Sequence, residues 1–188
     1  MAEKVESAFK KEVSKARLEF LFDGVFAIAM TLLVLELRLP EIQDRRSVPE
    51  LARALLANWR TFVSWLISFI VLSLFWILHN QIYSKITRIT RTCLAIHIWL
   101  LAVAASFPFC AHMLGRYLSN PLANRIYYGA FLFFIFGVFM LVVAAERQKL
   151  FDPAIPVQDI HRLRRRFMRT LLVLTIAFIY YGFLRFWL

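Results

Sequence analysis

The sequence predicts an all-α integral membrane protein, and three observations carry that prediction. First, 61% of its 188 residues are hydrophobic, against about 45–50% in an average soluble protein. Second, the charged residues, 19% of the chain, fall between apolar runs rather than through them. Third, those runs reach about 20 residues or more, enough to cross a bilayer at ~1.5 Å per helical residue. Five such segments are read, at about 18–38, 59–82, 93–114, 122–145 and 167–188. The sequence therefore divides into a basic tail, 1–17, and one transmembrane domain, 18–188, with no room for a soluble enzyme domain.

The first segment is a near-continuous apolar run from Leu18 to Leu37, interrupted by Asp23. A charge at the bilayer centre costs roughly 2.5–3.5 kcal/mol on insertion scales, so Asp23 predicts a partner. Residues 39–58 open with Pro40 and contain Ser47-Val48-Pro49-Glu50, a helix start, so a short amphipathic helix is expected over about 49–57 on the outer surface. The aromatic residues Trp59, Trp65, Trp76, Trp99, Trp187, Tyr83 and Tyr117 lie mostly near segment ends, as an interfacial belt would place them. Between the fourth and fifth segments a basic loop, 146–166, is expected, with Asp152-Pro153 and Ile155-Pro156 as breakers and the run His161-Arg162-Leu163-Arg164-Arg165-Arg166 before the last span.

The net charge is +11, but its distribution argues against a nucleic-acid surface. Lys and Arg sum to 15 on one set of alternate sides and 8 on the other. The positive-inside rule then puts the amino terminus in the cytoplasm, and an odd span count puts the carboxyl terminus outside. The excess charge reads as topology and lipid-headgroup contact. Cys93 and Cys110 show no CxxC pattern and read as core thiols. No cleavable signal peptide is expected, because the first apolar run is too long for a signal h-region. His79, His97, His112 and His161 are scattered, and no metal-ligating or catalytic constellation emerges.

On a helical wheel with Ile28 at zero, Leu32 falls at about +40°, Leu35 at about −20° and Thr31 at about −60°. These four form one narrow stripe. Asp23 falls at about −140°, on the other side, and the small residues Gly24, Ala27 and Ala29 flank the stripe. If the stripe lines a central axis, Asp23 points back into the protein, where a carboxylate needs donors. By depth the first candidate is His79, then Asn80 and the indole of Trp76; Arg17 lies at the inner end of the first span. An aliphatic stripe on a membrane helix is ordinarily packing or lipid contact, and an Asp–His pair is ordinarily structural, so the wheel alone leaves pore lining open.

The stretch Arg17-x-x-x-Leu21-Phe22-Asp23-Gly24-Val25-Phe26-Ala27-Ile28-Ala29-Met30-Thr31-Leu32-Leu33-Val34-Leu35 resembles the first-helix signature of the prokaryotic members of the transmembrane protein 175 potassium-channel family. That signature reads Arg-x-x-x-Phe-Ser-Asp-Gly-Val-Phe-Ala-Ile-Ala-(Ile/Met)-Thr-Leu-Leu-Val-Leu. Phe75-Trp76-Ile77-Leu78-His79-Asn80 is similar to the family's Phe-Trp-x-x-His-His stretch, and Phe107-Pro108-Phe109 to a Phe-x-Pro-Phe-like break in its third helix. The resemblance implies a potassium-selective channel in the cell membrane of a prokaryote, built as a homotetramer around four copies of the first helix. It implies an aliphatic constriction at Ile28, Leu32 and Leu35, a hydroxyl layer at Thr31, and a polar network of Arg17 and Asp23 with Trp76, His79 and Asn80. It further implies six spans where five are read, no cofactor, and potassium passing transiently near Ile28 and Thr31. Two departures stand out: Leu21-Phe22 replaces Phe-Ser, removing a hydroxyl beside Asp23, and Asn80 replaces the second His.

No Thr-Val-Gly-Tyr-Gly filter occurs in the chain, so a carbonyl ring of that kind is not available. One pore helix cannot enclose an axis, which requires cyclic self-association. A narrow ring of methyls offers an ion no ligands and acts as a dewetting gate. Two other functions are compatible with the residues: a small proton-coupled transporter using Asp23 and His79, and a non-conducting structural membrane protein.

Overall fold

The computed structural model describes residues 14–38 and 41–180. Most of the basic tail and residues 181–188 of the fifth apolar segment lie outside them. Helix α1, Lys15–Leu32, starts at Ser14, whose hydroxyl accepts the Arg17 N–H at 3.3 Å. It tightens into a 3₁₀ turn, Leu33–Glu36. Helix α2, Val48–Ala57, matches the expected amphipathic element. Ser47 caps it, and the Glu50 carboxylate accepts the N–H groups of Gln43 and Asp44 at 2.8 and 3.2 Å, pinning the preceding loop. Helix α3 is Trp59–Tyr83, α4 is Arg91–Arg116 capped by Thr90, and α5 is Pro121–Arg147 capped by Asn120. Helix α6 is Val157–Ile179.

Four of these elements are long and apolar enough to cross a membrane: α1 with its 3₁₀ turn, α3, α4 and α5. The last helix corrects the expectation. It begins at Val157 rather than residue 167, so His161–Arg166 are helical rather than loop. The cause is amphipathic spacing. Ile160, Leu163, Phe167 and Leu171 recur at helical intervals and pack on the core, while Arg162, Arg165, Arg166 and Arg169 take the opposite arc and Arg164 pairs with Glu146 of α5 at 3.0 Å. Hydropathy alone reads such a segment as polar. Pro108 is a second correction, because α4 runs through it unbroken. Phe107 and Pro108 are both buried, and packing on either side holds the helix across the missing N–H.

Helix α4 lies at the centre, with α1, α3 and α5 against it and α6 outside α5. The core is strongly aromatic. Phe75 stacks on Phe134 at 3.9 Å between centroids and meets Phe107 edge-on at 5.3 Å. Helices approach closely where side chains are small: Ser64 on α3 donates to the Ala111 carbonyl at 2.8 Å, beside Gly115.

One end of the bundle is tied together by backbone. Thr87 N–H donates to Leu150 O at 2.8 Å and Asp152 N–H to Lys85 O at 3.0 Å, so the α3–α4 and α5–α6 connections interlock. Lys149 holds a left-handed φ of 51°. The Leu150 N–H then reaches Ala145 O at 2.9 Å and the Lys149 N–H reaches Glu146 O at 3.1 Å, a Schellman closure of α5. Helix α1 is anchored to the same end. Lys15 Nζ donates to Ile86 O at 2.6 Å, and the Tyr83 hydroxyl donates to Lys15 O at 2.8 Å.

Candidate pore-lining face of the first helix

The residues of α1 that its own subunit buries are Leu18, Phe22, Phe26 and Ala29, and Leu33 continues the face into the 3₁₀ turn. On the wheel they span about +80° to +160° from Ile28. The aliphatic stripe lies across the helix from them and is uncovered: Ile28 is 60% exposed, Leu32 42% and Leu35 68%. Thr31 is exposed on the same face. Its hydroxyl donates to Ile28 O at 2.8 Å, which uses the only proton and leaves the oxygen lone pairs pointing off the helix as acceptors. Toward the start of α1 the exposed face continues through Gly24, already placed beside the stripe, and Leu21, which the sequence reading missed. The signal for Leu21 was the 100° wheel itself, which puts it at about +20°, with Gly24 at about −40°.

The expected polar network forms only in part. Asp23 is joined to Trp76, whose indole Nε1–H donates to Oδ1 at 2.7 Å. Its predicted first partner, His79, is elsewhere, and Asp23 is exposed along the flank of the helix rather than buried. His79 is 3% exposed and stacks on Phe22, with centroids 3.4 Å apart and planes 10° from parallel. The Phe ring where the family signature carries Ser fills the space between the helices and covers the imidazole. His97 of α4 closes the other side at 5.0 Å, edge-on, and its own Nδ1–H donates to Cys93 O at 2.6 Å. Arg17 and Asn80 are exposed, and neither side chain joins Asp23 among the described residues. The sequence reading missed Phe22, His97 and the Lys15–Tyr83 clamp as determinants of how α1 is seated. Phe22 carried a signal, since it is one of the two departures from the signature.

The sequence model of the family described as "Endosomal/lysosomal potassium channel TMEM175" matches residues 17–108, from the start of α1 to Pro108 in α4. The fold agrees. The chain superposes with a TM-score of 0.77 on the crystal structure of a lysosomal potassium-selective channel TMEM175 homolog from Chamaesiphon minutus. That match covers 89% of this chain and 86% of the other at 26% identity.

The chain is similar to the TMEM175 family over about half its length and shares the fold of the Chamaesiphon homolog.

Two relatives show how far the likeness runs. A potassium channel of Streptomyces collinus is 29% identical over 161 residues, 80% of this chain and 74% of the relative. The human endosomal/lysosomal proton channel TMEM175 is 26% identical over 138 residues, 70% of this chain but 27% of the human protein. The Chamaesiphon and Streptomyces proteins are thus similar over most of their own length, and the human protein over about a quarter of its length. In this chain the Asp23–Trp76 hydrogen bond ties α1 to α3, and the Phe22–His79 stack lies beside it.

Proposed function

We propose that the protein is the subunit of a potassium-selective cation channel in which copies of α1 surround a central pore. Ile28, Leu32 and Leu35 form the constriction in this reading, and Thr31 supplies a ring of hydroxyl oxygens. The observation that carries it is the two-faced first helix. One face is sealed against α3 and α4, and the opposite face presents aliphatic side chains and one hydroxyl that the described residues leave exposed. Gly24 and Ala27, both exposed, let neighbouring helices approach closely. A homotetramer is the assembly proposed, with the amino terminus in the cytoplasm and the protein in the cell membrane.

In such a pore the methyl rings exclude water when narrow, and conduction requires the helices to splay or rotate. Thr31 oxygens then replace part of the hydration shell. Potassium gives up its water more readily than sodium, so partial dehydration favours it. The proton-coupled alternative loses support because Asp23 and His79 do not pair.

The test is the reversal potential of purified protein in planar bilayers, with potassium on one side and sodium on the other. A displacement toward the potassium equilibrium potential supports the reading. Ile28→Ala and Leu35→Ala are expected to raise the resting current, and Thr31→Ala to reduce the preference for potassium. Unchanged current and ion preference in all three variants would refute the assignment of the stripe.

A further inference from the structure

We propose that the clamped end of the bundle carries a binding site for one anionic phospholipid headgroup. The site is a cavity of about 200 Å³ where the α3–α4 connection, the α5–α6 connection and the start of α6 meet. Its cations come from two separate elements, Lys85 on the α3–α4 connection and Arg162 and Arg166 on α6. Its floor is apolar, made by Phe151, Ile160 and Leu163. Asp159 also lines it but is engaged by Arg162 at 3.2 Å. Lys85 and Arg166 have no acidic partner among the described residues. The backbone beneath Lys85 is fixed by the Asp152 N–H, so the cavity is a property of the interlocked connections rather than of one loose loop.

Two cations over an apolar floor need an anion that also has an apolar body. Helix α6 says which kind. Taking Arg166 as zero on its wheel, Arg162 lies at about −40°, Arg169 at about −60°, Val173 at about −20° and Ile176 at about −80°. One stripe therefore changes from guanidinium to aliphatic within about a turn. Val173 and Ile176 are 64% and 58% exposed. That transition marks a headgroup–hydrocarbon boundary on the helix surface. A phosphate held by Lys85 and Arg166 would place its glycerol on the Phe151–Leu163 floor and run its acyl chains along Val173 and Ile176. A free phosphate would use the cations alone and leave the floor and stripe without a role.

The test uses the full chain in detergent micelles, titrated with phosphatidylglycerol or phosphatidylcholine and read by native mass spectrometry. Phosphatidylglycerol is expected to bind at one site per subunit in preference to phosphatidylcholine. Replacing both Lys85→Gln and Arg166→Gln should weaken it about thirtyfold, two cations being lost near a charged headgroup. The exchange Lys85→Arg with Arg166→Lys should keep it, and so should Arg60→Gln, placed at the start of α3 far from the cavity. The single exposed variant Arg166→Gln serves if the double variant does not fold, with a loss of about fivefold. Equal binding of the two lipids, unchanged phosphatidylglycerol binding in the Gln variants, or its displacement by equimolar inorganic phosphate would each overturn the proposal.

Discussion

Restoring the family hydroxyl at position 22 should weaken this protein rather than improve it. Phe22 is 1% exposed, with centroids 3.4 Å from His79, 4.7 Å from Phe26 and 6.3 Å from His97. Phe22→Ser leaves a cavity of roughly 100 Å³, which at about 24 cal/mol per Å³ corresponds to about 2.4 kcal/mol. The two lost stacks, on His79 and Phe26, each add about 0.5–1.5 kcal/mol, so the expected destabilisation is about 3.5–5.5 kcal/mol. Packing dominates the loss because lipid tails are as apolar as a phenyl ring and provide little hydrophobic gain between membrane helices. The assay is reversible unfolding in mixed micelles, with Phe22→Leu as a partial replacement expected to fall between. A double-mutant cycle of Phe22→Ala with His79→Ala isolates the stack, for which a coupling of about 1 kcal/mol is expected. Stability of Phe22→Ser within about 0.5 kcal/mol of the parent would refute the argument, and would mean that a hydroxyl network closes the gap.

Other perturbations test the packing and the ends of helices. Lys149→Gly should raise the unfolding free energy by about 1 kcal/mol, because glycine adopts the left-handed cap at φ 51° without steric cost; a thermal-shift measurement in micelles reads it. Gly129 and Gly137 lie two turns apart on α5 yet should respond with opposite sign. An added Cβ meets nothing within 4 Å at Gly129 but stands 2.7 Å from Leu100 Cδ2 at Gly137. Gly129→Ala should therefore stabilise by about 0.5–1 kcal/mol, and Gly137→Ala destabilise by about 1–3 kcal/mol, in the same unfolding assay. Trp76→Phe keeps the ring but removes the donor to Asp23, so a loss of about 1 kcal/mol is expected, with no further loss when Asp23→Asn is added.

Much of the architecture was legible because it follows from strong, repetitive signals. Long apolar runs gave α3, α4 and α5 nearly to their ends, and Ser47-Val48-Pro49 placed α2 to within a residue. The start of α6 was hidden because charge density masks a helix whose apolar stripe is narrow. Within the site, the wheel put Ile28, Thr31, Leu32 and Leu35 on one face, and all four are exposed, but it turned Asp23 inward, whereas Asp23 is exposed. It could not choose between donors for Asp23. His79 and Trp76 sit three residues apart on α3, and the choice was made by Phe22, whose ring takes the space in front of the imidazole. The Lys15 clamp joins residues 71 positions apart through a backbone carbonyl, a contact with no side-chain pattern to reveal it.

The 3₁₀ turn at Leu33–Glu36 gears the end of the first helix. A 3₁₀ helix advances about 120° and 2.0 Å per residue, against about 100° and 1.5 Å in an α-helix. Over the three steps from Leu32 to Leu35, the tighter winding turns Leu35 by about 60° and lifts it by about 1.5 Å. Leu35 then eclipses Leu32 instead of lying beside it. With its base held by Lys15 and Tyr83, the helix can reset its last aliphatic layer by exchanging one winding for the other, without moving the layers below.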